Sequence, residues 1–325
     1  LAVSARNEGP KASTAGLIAW LHVEFDGGEP LTLTSDNRWR TSDAKVAGWN
    51  LLNFGDSSWS FANDLGEVGC EPWGPVRYAE SRRLPARRLR REFACNKPIA
   101  RAMVFLSGLG TSELYLNGNR VGDRVLSPAM AEYPKRVFYV AHDVTRQIRE
   151  GTNALGVILG NGRFYSPRSE VYASMPNFGS PKLLLKLRME HTDGSITTVS
   201  SDPSWKLTDQ GPILANNEFD GEEYDARRTL KGWDEAAFDD GGWENATALP
   251  RPAEQVSAEM IEPIRVVKTI APVTVSAVRA GTHIYDFGQN LVGWCRLKTR
   301  GPAGACVTLR HAESLRPDGT LALAN

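Results

Sequence analysis

Residues 187–206, LRMEHTDGSITTVSSDPSWK, contain two strand-like runs that flank an Asp-Gly turn and lead to a tryptophan. Residues 21–40, LHVEFDGGEPLTLTSDNRWR, align with that stretch without a gap, so that Trp39 and Trp205 occupy equivalent positions. Asp-Gly and Gly-Gly dipeptides readily adopt the positive φ angles of a tight turn. Both stretches are therefore predicted to be β-hairpins that end at a buried tryptophan.

Matching residues also follow each hairpin, at the same spacing in both parts of the chain. They are Gly48, Trp49, Asp56, Trp59 and Ala62 in the first copy and Gly232, Trp233, Asp240, Trp243 and Ala246 in the second. Self-similarity at a fixed spacing is the signature of a repeated structural unit, here a duplicated β-sandwich element. Because the tryptophans recur at equivalent positions, we interpret them as core anchors rather than as platforms that stack on a ligand.

The stretch between the two copies consists of short apolar runs separated by Gly, Asn, Asp and Pro. Examples are residues 103–106, 113–116, 137–140 and 155–159. Asn117-Gly118 directly follows one of these runs and predicts a tight hairpin. Because helical periodicity is scarce, the pattern predicts an all-β fold made of tandem β-sandwich domains of the jelly-roll type.

The repeat divides the chain into three predicted domains. Residues 1–85 are predicted to form a partial N-terminal β-sandwich, and residues 86–255 a complete one. Residues 256–325 are predicted to be the start of a further β-sandwich that is truncated. Far fewer residues precede the first copy of the repeat than precede the second. The first domain is therefore either a half-unit, or the chain begins inside a domain.

Charge and hydropathy argue against two classes of partner. The 38 Lys and Arg residues balance the 38 Asp and Glu residues, which gives no electrostatic reason to expect nucleic acid. No apolar run approaches the roughly 18 residues of a membrane span, so a membrane partner is not expected either. The arginines between residues 82 and 91 are interpreted as a solvated linker into the second domain. Whether this soluble chain is secreted, periplasmic or cytoplasmic is left open.

The two copies differ in the segment that joins the hairpin to the second tryptophan. Nine residues separate Trp39 from Trp49, whereas 27 separate Trp205 from Trp233. The additional stretch, residues 211–225, is dense in carboxylates and amides. Long polar loops on a rigid sandwich are where binding sites tend to lie, which makes this insertion the candidate functional segment.

Six motifs, spread over nearly the whole chain, together resemble one enzyme family. They are SGLGTSELYLNGNRVGD (107–123), HDVT (142–145), NALGVILGNGRFY (153–165), FDGEEYDAR (219–227), YDFGQNLVGW (285–294) and RHAESLRPDGTLALAN (310–325). In this order they resemble the bacterial α-L-rhamnosidases of glycoside hydrolase family 78. Each motif alone is a weak signal, and their combination is the specific one.

This resemblance implies a non-catalytic role for the chain. In the family, β-sandwich modules precede an (α/α)6-barrel that carries the catalytic acid and base, and the barrel's acidic motif has no counterpart in this sequence. The implied partners are that barrel, as a C-terminal domain or chain, and L-rhamnose-containing glycosides or polysaccharides. Hydrolysis of terminal α-L-rhamnosides with inversion would then take place outside this chain.

The resemblance also implies a sugar site in the second domain, which is similar to a rhamnose-binding carbohydrate-binding module. Its candidate residues are Asn161, Arg163, Tyr165, Asn217 and Glu222. No cofactor is required, but calcium bridges protein and sugar in some members of the family. Asn161 and Asn217 are the candidate ligands for such an ion, because calcium prefers amide, carboxylate and carbonyl oxygens.

Two other interpretations stay open at this point. The chain could be a stand-alone carbohydrate-binding or scaffold protein without hydrolase activity. It could also be hydrolytic itself, with a carboxylate pair drawn from Asp220, Glu222, Glu223 and Asp225. Such a pair would need a substrate cleft and shifted pKa values, which sequence spacing does not establish.

Overall fold

The structure is a computed structural model that describes residues 1–5, 16–23, 25, 29–44, 46–67, 70–72, 83–166, 178–250 and 253–322. The chain divides into two compact units, residues 1–79 and residues 80–325. The described residues form strands throughout and one short 3-10 helix, which confirms the predicted all-β sandwich fold. No helix among them is long and apolar enough to cross a membrane.

The first unit consists of two small antiparallel pairs. Strand β1 (Trp20–Val23) pairs with β2 (Leu31–Thr34), and β3 (Arg40–Thr41) pairs with β4 (Ser60–Phe61). The predicted turn at residues 26–28 lies outside the described residues.

The second unit is a sandwich of two sheets. Its strands are β5 (Arg87–Cys95), β6 (Ile99–Leu109), β7 (Thr111–Leu116), β8 (Asn119–Arg120), β9 (Arg136–Asp143), β10 (Gly151–Gly160), β11 (Lys182–His191), β12 (Ile196–Ser200), β13 (Lys206–Thr208), β14 (Ile213–Asn217), β15 (Gly221–Tyr224), β16 (Glu244–Asn245) and β17 (Gln255–Ala258). One sheet has the order β16-β13-β5-β10-β7-β8, and the other has the order β12-β11-β6-β9-β17. The strands β14 and β15 form a separate hairpin, which is followed by the 3-10 helix Ala226–Arg228.

Alternation along the strands separates a core face from an outer face. On the central strand β10, Leu155, Val157 and Leu159 belong to the main hydrophobic cluster between the sheets. Since successive side chains of a strand point to opposite faces, residues 156, 158 and 160 lie on the outer face of the six-stranded sheet. This outer face carries the features described below.

The predicted hairpin at Asn117-Gly118 is confirmed. Both residues have positive φ angles, 53° and 79°, and they join β7 to β8. This is the conformation that a two-residue turn needs if its twist is to match that of the flanking strands.

The predicted repeat is also confirmed, down to single hydrogen bonds. Trp20 pairs with Thr34 in the first copy, and the equivalent residues Lys186 and Ser200 pair in the second. The indole N–H of the hairpin tryptophan donates to a backbone carbonyl in both copies, over 3.0 Å from Trp39 to Thr34 and over 2.9 Å from Trp205 to Ser200. The recurring tryptophan thus closes its own hairpin. This explains why the tryptophan stands at the same distance from the hairpin strands in both copies.

The copies differ in how far their tryptophans are buried. Trp205 and Trp233 are buried, as predicted, whereas Trp39, Trp49, Trp59 and Trp243 are half-buried. In the second copy β11 also pairs with β6, and β13 with β5, so that the repeat becomes part of the sandwich. Among the described residues of the first unit, β1 pairs only with β2 and β3 only with β4. Its tryptophans therefore have less protein around them.

The interpretation of residues 82–91 as a solvated linker is wrong for the described part of that run. Residues from Arg87 onward form β5, an inner strand of the six-stranded sheet, and Arg88 and Arg90 are buried. Both lie on the outer face of the sheet, where the segment that follows β13 covers them. That covering is a tertiary contact, and charge counts along the sequence do not reveal it.

The chain after residue 253 begins by extending the sandwich. Strand β17 adds to the five-stranded sheet by parallel pairing with β9, so this sheet extends to Ala258. Further on, β18 (Thr274–Arg279) and β19 (Thr282–Asp286) form a two-stranded hairpin whose apolar side chains, such as Val275 and Tyr285, are largely exposed.

Candidate functional site

Two glycines of β10 allow other segments to approach the outer face of the sheet closely. A Cβ atom at Gly156 would lie 2.8 Å from Cη2 of Trp233, and one at Gly160 would lie 3.1 Å from Oδ1 of Asn216. Both distances are shorter than ordinary van der Waals contact, so a larger residue would push the covering segments away, and at Gly160 it would also meet Oγ1 of Thr111 at 2.8 Å. The outer face is thus built to receive Trp233 on one side and the β14–β15 hairpin on the other.

The insertion of the second copy, predicted as a polar loop, folds into this β14–β15 hairpin. Asn216 pairs with Glu222, and Asn217 pairs with Gly221. Asn217 shapes the tip, because its Oδ1 accepts hydrogen bonds from the backbone N–H groups of Phe219 (2.8 Å) and Asp220 (2.5 Å). Its Nδ2 donates to the Asp220 carboxylate over 2.8 Å, so that the predicted site residue Asn217 holds a compact polar turn.

Asn161 lies beneath this hairpin and is completely buried. Its Nδ2 donates to the carbonyls of Leu84 (2.6 Å) and Asn216 (2.7 Å), while its backbone N–H donates to Oδ1 of Asn216 over 2.7 Å. Its own Oδ1 accepts from Nη1 of Arg87 over 3.0 Å. Asn161 therefore fastens three segments together: the end of β10, the hairpin, and the chain that enters β5.

Arg163 and Tyr165 differ in burial: Arg163 lies near the surface, and Tyr165 lies in the interior. Arg163 is half-buried, with Nη1 3.4 Å from the carboxylate of Glu218 and its guanidinium carbon 5.4 Å from the centre of the Phe219 ring. Tyr165 is only 2% exposed, and its backbone N–H donates to the carbonyl of Asn161 over 3.2 Å. Arg163 thus faces the tip of the hairpin, whereas Tyr165 is buried and bonded to Asn161.

Glu222 lies on β15, where its side chain is exposed to solvent. Partial burial raises the pKa of its carboxyl, and the nearby charge of Glu113 raises it further. Asp234, next to Trp233, is buried, and this burial raises the pKa of its carboxyl as well. The outer face therefore carries carboxyl groups that are harder to ionise than usual, a common property of binding sites.

The donor set around Asn161 and Asn217 does not fit a calcium ion. The amide oxygen of Asn161 already faces the Arg87 guanidinium, and that of Asn217 accepts two backbone N–H groups. In the part of the chain that the structure describes, no group of three or more His, Cys, Asp or Glu side chains could hold a metal ion. Calcium needs six to eight oxygen ligands and would be repelled by the arginine.

Sequence reasoning missed three residues of this outer face: Arg88, Glu113 and Tyr224. Period-two alternation in β5 could have indicated the first, because Arg88 and Arg90 alternate with the core residue Leu89. Glu113 alternates in the same way with Leu114 on β7. The position of Tyr224 has no such signal, since it depends on where the hairpin packs.

Replacement of Asn161 by alanine is expected to lower the free energy of unfolding by about 2–4 kcal/mol, because the backbone carbonyls of Leu84 and Asn216 lose the donor that this fully buried amide provides. Urea denaturation monitored by tryptophan fluorescence measures this change. Asn217→Ala is the matched control, since its hydrogen bonds lie at the exposed tip, and a loss below about 1 kcal/mol is expected. Equal losses in the two variants would show that Asn161 does not fasten the hairpin.

Comparison with protein families gives two consecutive matches. Residues 97–268, more than half of the chain, match the α-L-rhamnosidase N-terminal domain. Residues 276–325 match the bacterial α-L-rhamnosidase concanavalin-like domain.

Similar proteins carry the same family name. An α-L-rhamnosidase of Streptomyces avermitilis is 37% identical over 328 residues, which cover 100% of this chain and 31% of the relative. One from Formosa agariphila is 36% identical over 238 residues, which cover 71% of this chain and 24% of the relative. The chain thus spans about a third or less of the length of these curated relatives, in which the matching region is part of a larger chain.

Solved structures show the same relationship. The Streptomyces avermitilis α-L-rhamnosidase complexed with L-rhamnose matches with a TM-score of 0.70 and 35% identity, over 94% of this chain and 29% of that chain. The α-L-rhamnosidase from Dictyoglumus thermophilum matches with a TM-score of 0.63 and 42% identity, over 73% of this chain and 26% of that chain. The chain therefore belongs to the α-L-rhamnosidase family and corresponds to the N-terminal, non-catalytic part of its members.

Proposed function

We propose that the protein to which this chain belongs hydrolyses terminal α-L-rhamnosides with inversion of configuration. The observation that carries this proposal is the 37% identity to the Streptomyces avermitilis α-L-rhamnosidase over the whole chain. An inverting glycosidase needs an acid and a base about 6.5–9.5 Å apart with a water molecule between them. A C-terminal (α/α)6-barrel would supply that pair, and this chain supplies sugar binding and mechanical support.

Within the chain, the three domains have separate roles in this proposal. Residues 86–255, continued by β17 to Ala258, form the sandwich that binds carbohydrate. Residues 1–85 are a partial sandwich built on the first copy of the repeat, and residues 256–325 begin the next sandwich. The two family matches, which end at residue 268 and begin again at residue 276, support a division of the chain between those residues.

The proposed sugar-binding surface is the tip of the β14–β15 hairpin. Arg163, Asn217 and Glu222 are its accessible polar groups, while Asn161 fastens the hairpin from beneath and Tyr165 is bonded to the carbonyl of Asn161. A guanidinium, an amide and a carboxylate together can both donate to and accept from sugar hydroxyls. L-Rhamnose is the proposed sugar, because the similar Streptomyces avermitilis enzyme was solved with it. Calcium has no part in this proposal.

Activity is expected to depend on residues outside this chain. An aryl α-L-rhamnoside incubated with the purified chain is expected to release no phenol above the buffer rate, whereas the full-length protein is expected to release it. Proton NMR of the first product then distinguishes inversion from retention, with the β-anomer of L-rhamnose expected. Turnover by the chain alone, or initial formation of the α-anomer, would contradict the proposal.

Sugar binding at the hairpin tip is expected to be weakened at least tenfold by Asn217→Ala and by Arg163→Gln, because the first change removes the amide that shapes the tip and the second removes a guanidinium donor. Calorimetric titration of the chain with L-rhamnose measures the Kd. Asn245→Ala, on the exposed strand β16, is the matched control and is expected to leave it unchanged. Addition of EDTA or calcium is also expected to have no effect. An unaltered Kd in both hairpin variants would refute this surface.

A further inference from the structure

The two copies of the repeat share their backbone hydrogen bonds as well as their tryptophans. The N–H of Ser35 donates to the carbonyl of Ala19 over 2.9 Å, and the equivalent N–H of Ser201 donates to that of Leu185 over 2.9 Å. Strands β1 and β2 pair as β11 and β12 do, and β3 and β4 pair as β13 and β16 do, at equivalent residues in each case. The second copy therefore shows which surroundings this element has in a folded sandwich.

In the second copy, inner strands cover one edge of each strand pair. Strand β11 has β12 on one side and β6 on the other, while β13 has β16 on one side and β5 on the other. Strands β5 and β6 are consecutive in the chain, so that one segment, residues 87–109, supplies the neighbour in both sheets. Strands β12 and β16 are instead terminal strands of their sheets.

The equivalent edges of β1 and β3 have no neighbouring strand among the described residues of the chain. Residues of an antiparallel strand bond alternately to its two sides. Because Ala19 bonds to the β2 side, the backbone amide of His22 points to the open edge of β1. In the same way, the bond from Ala62 to Trp39 directs the amide of Arg40 to the open edge of β3.

The apolar side of the first copy is also less covered. Leu33 is 37% exposed, whereas the equivalent Val199 is 7% exposed. Leu21 is half-buried, whereas the equivalent Leu187 is completely buried in the main cluster, to which β5 and β6 contribute. A two-stranded pair needs further strands against its apolar face before it is stable in water. The first copy thus calls for the partner that the second copy has in residues 87–109.

The position of β5 and β6 in the chain indicates where this partner is encoded. Both strands precede β11, and the stretch that precedes β1, residues 1–19, is shorter than the segment 87–109. The chain spans only 31% of the Streptomyces avermitilis relative, so that a longer protein has room for such a segment. A second copy of this chain fits less well, because β1 and β3 belong to separate sheets and one added strand would cover only one of them.

We propose that a segment of the longer protein, equivalent to β5 and β6 and encoded before this chain, completes the first copy as a sandwich. We name it the completing segment. Its first strand pairs antiparallel with β3 and its second strand with β1, and its alternate apolar side chains fill the space that Leu89 and Val104 fill in the second copy. The proposal rests on the proposed function in one respect, that this chain is part of a longer protein.

Hydrogen exchange of the two edge amides tests the completing segment in the full-length protein. Mass spectrometry with electron-transfer fragmentation measures the exchange of single amides, and the comparison is with residues 1–325 alone. The amides of His22 and Arg40 are expected to exchange at least tenfold more slowly in the full-length protein, because the completing segment accepts a hydrogen bond from each of them.

The opposite edges of the same strand pairs supply the matched controls. The amides of Thr34 on β2 and Phe61 on β4 point away from β1 and β3, as do those of the equivalent residues Ser200 and Asn245 on the terminal strands β12 and β16. Thr34 and Phe61 are therefore expected to exchange at the same rate in both proteins. A general stabilisation of the first copy would slow all four amides together.

Equal rates for His22 and Arg40 in the two proteins would refute the completing segment, and so would equal slowing of Thr34 and Phe61. Slow exchange of His22 already in residues 1–325 alone would refute it too, with a second copy as the partner if dilution restores fast exchange. None of these rates depends on rhamnoside hydrolysis or on sugar titration. Failure of the proposed activity or sugar site is therefore distinguishable from failure of the completing segment.

Discussion

The buried guanidinium of Arg90 is the interaction on which the outer face of the sandwich depends. It donates to the carbonyls of Trp233 (2.8 Å) and Glu235 (2.9 Å), and it pairs with the carboxylates of Glu92 and Asp240. An unpaired charge in this position would cost several kcal/mol, so β5 and the segment around residues 233–240 are tied to each other. Trp233 is thereby held against Gly156.

The duplicated element shows how one local unit can serve two purposes. In both copies a tryptophan closes its hairpin, and a backbone hydrogen bond returns to that tryptophan, from Ala62 to Trp39 and from Ala246 to Trp205. The second copy differs from the first in having the β14–β15 hairpin, which lies in the segment between Trp205 and Trp233. Because the hydrogen bonds of the hairpin tryptophan form in the first copy without the insertion, the fold of the repeat does not depend on the insertion, which can therefore carry polar groups.

Sequence patterns predicted those features of the fold that depend on residues close together in the chain. The hairpin repeat, the Asn117-Gly118 turn and the all-β class follow from turn residues and period-two alternation, and the structure confirms them. Asn161 was predicted as a site residue on the exposed loop after β10, whereas the structure buries it completely, through contacts with Leu84 and Asn216 that are distant in sequence. Arg88 was interpreted as part of a linker for the same reason. The burial of a charged residue can be predicted only when the segment that covers it is known.

Amide hydrogen exchange tests most directly whether Arg90 holds the covering segment on the outer face. The amides of Glu235 and Trp243, bonded to Gly232 and Asp240, report on that segment. In Arg90→Lys they are expected to exchange at least tenfold faster, while the core amides of β10 keep their protection. Arg91→Lys, which alters a half-exposed neighbour on β5, is expected to leave both sets unchanged. Unchanged protection of Glu235 and Trp243 in Arg90→Lys would contradict the account.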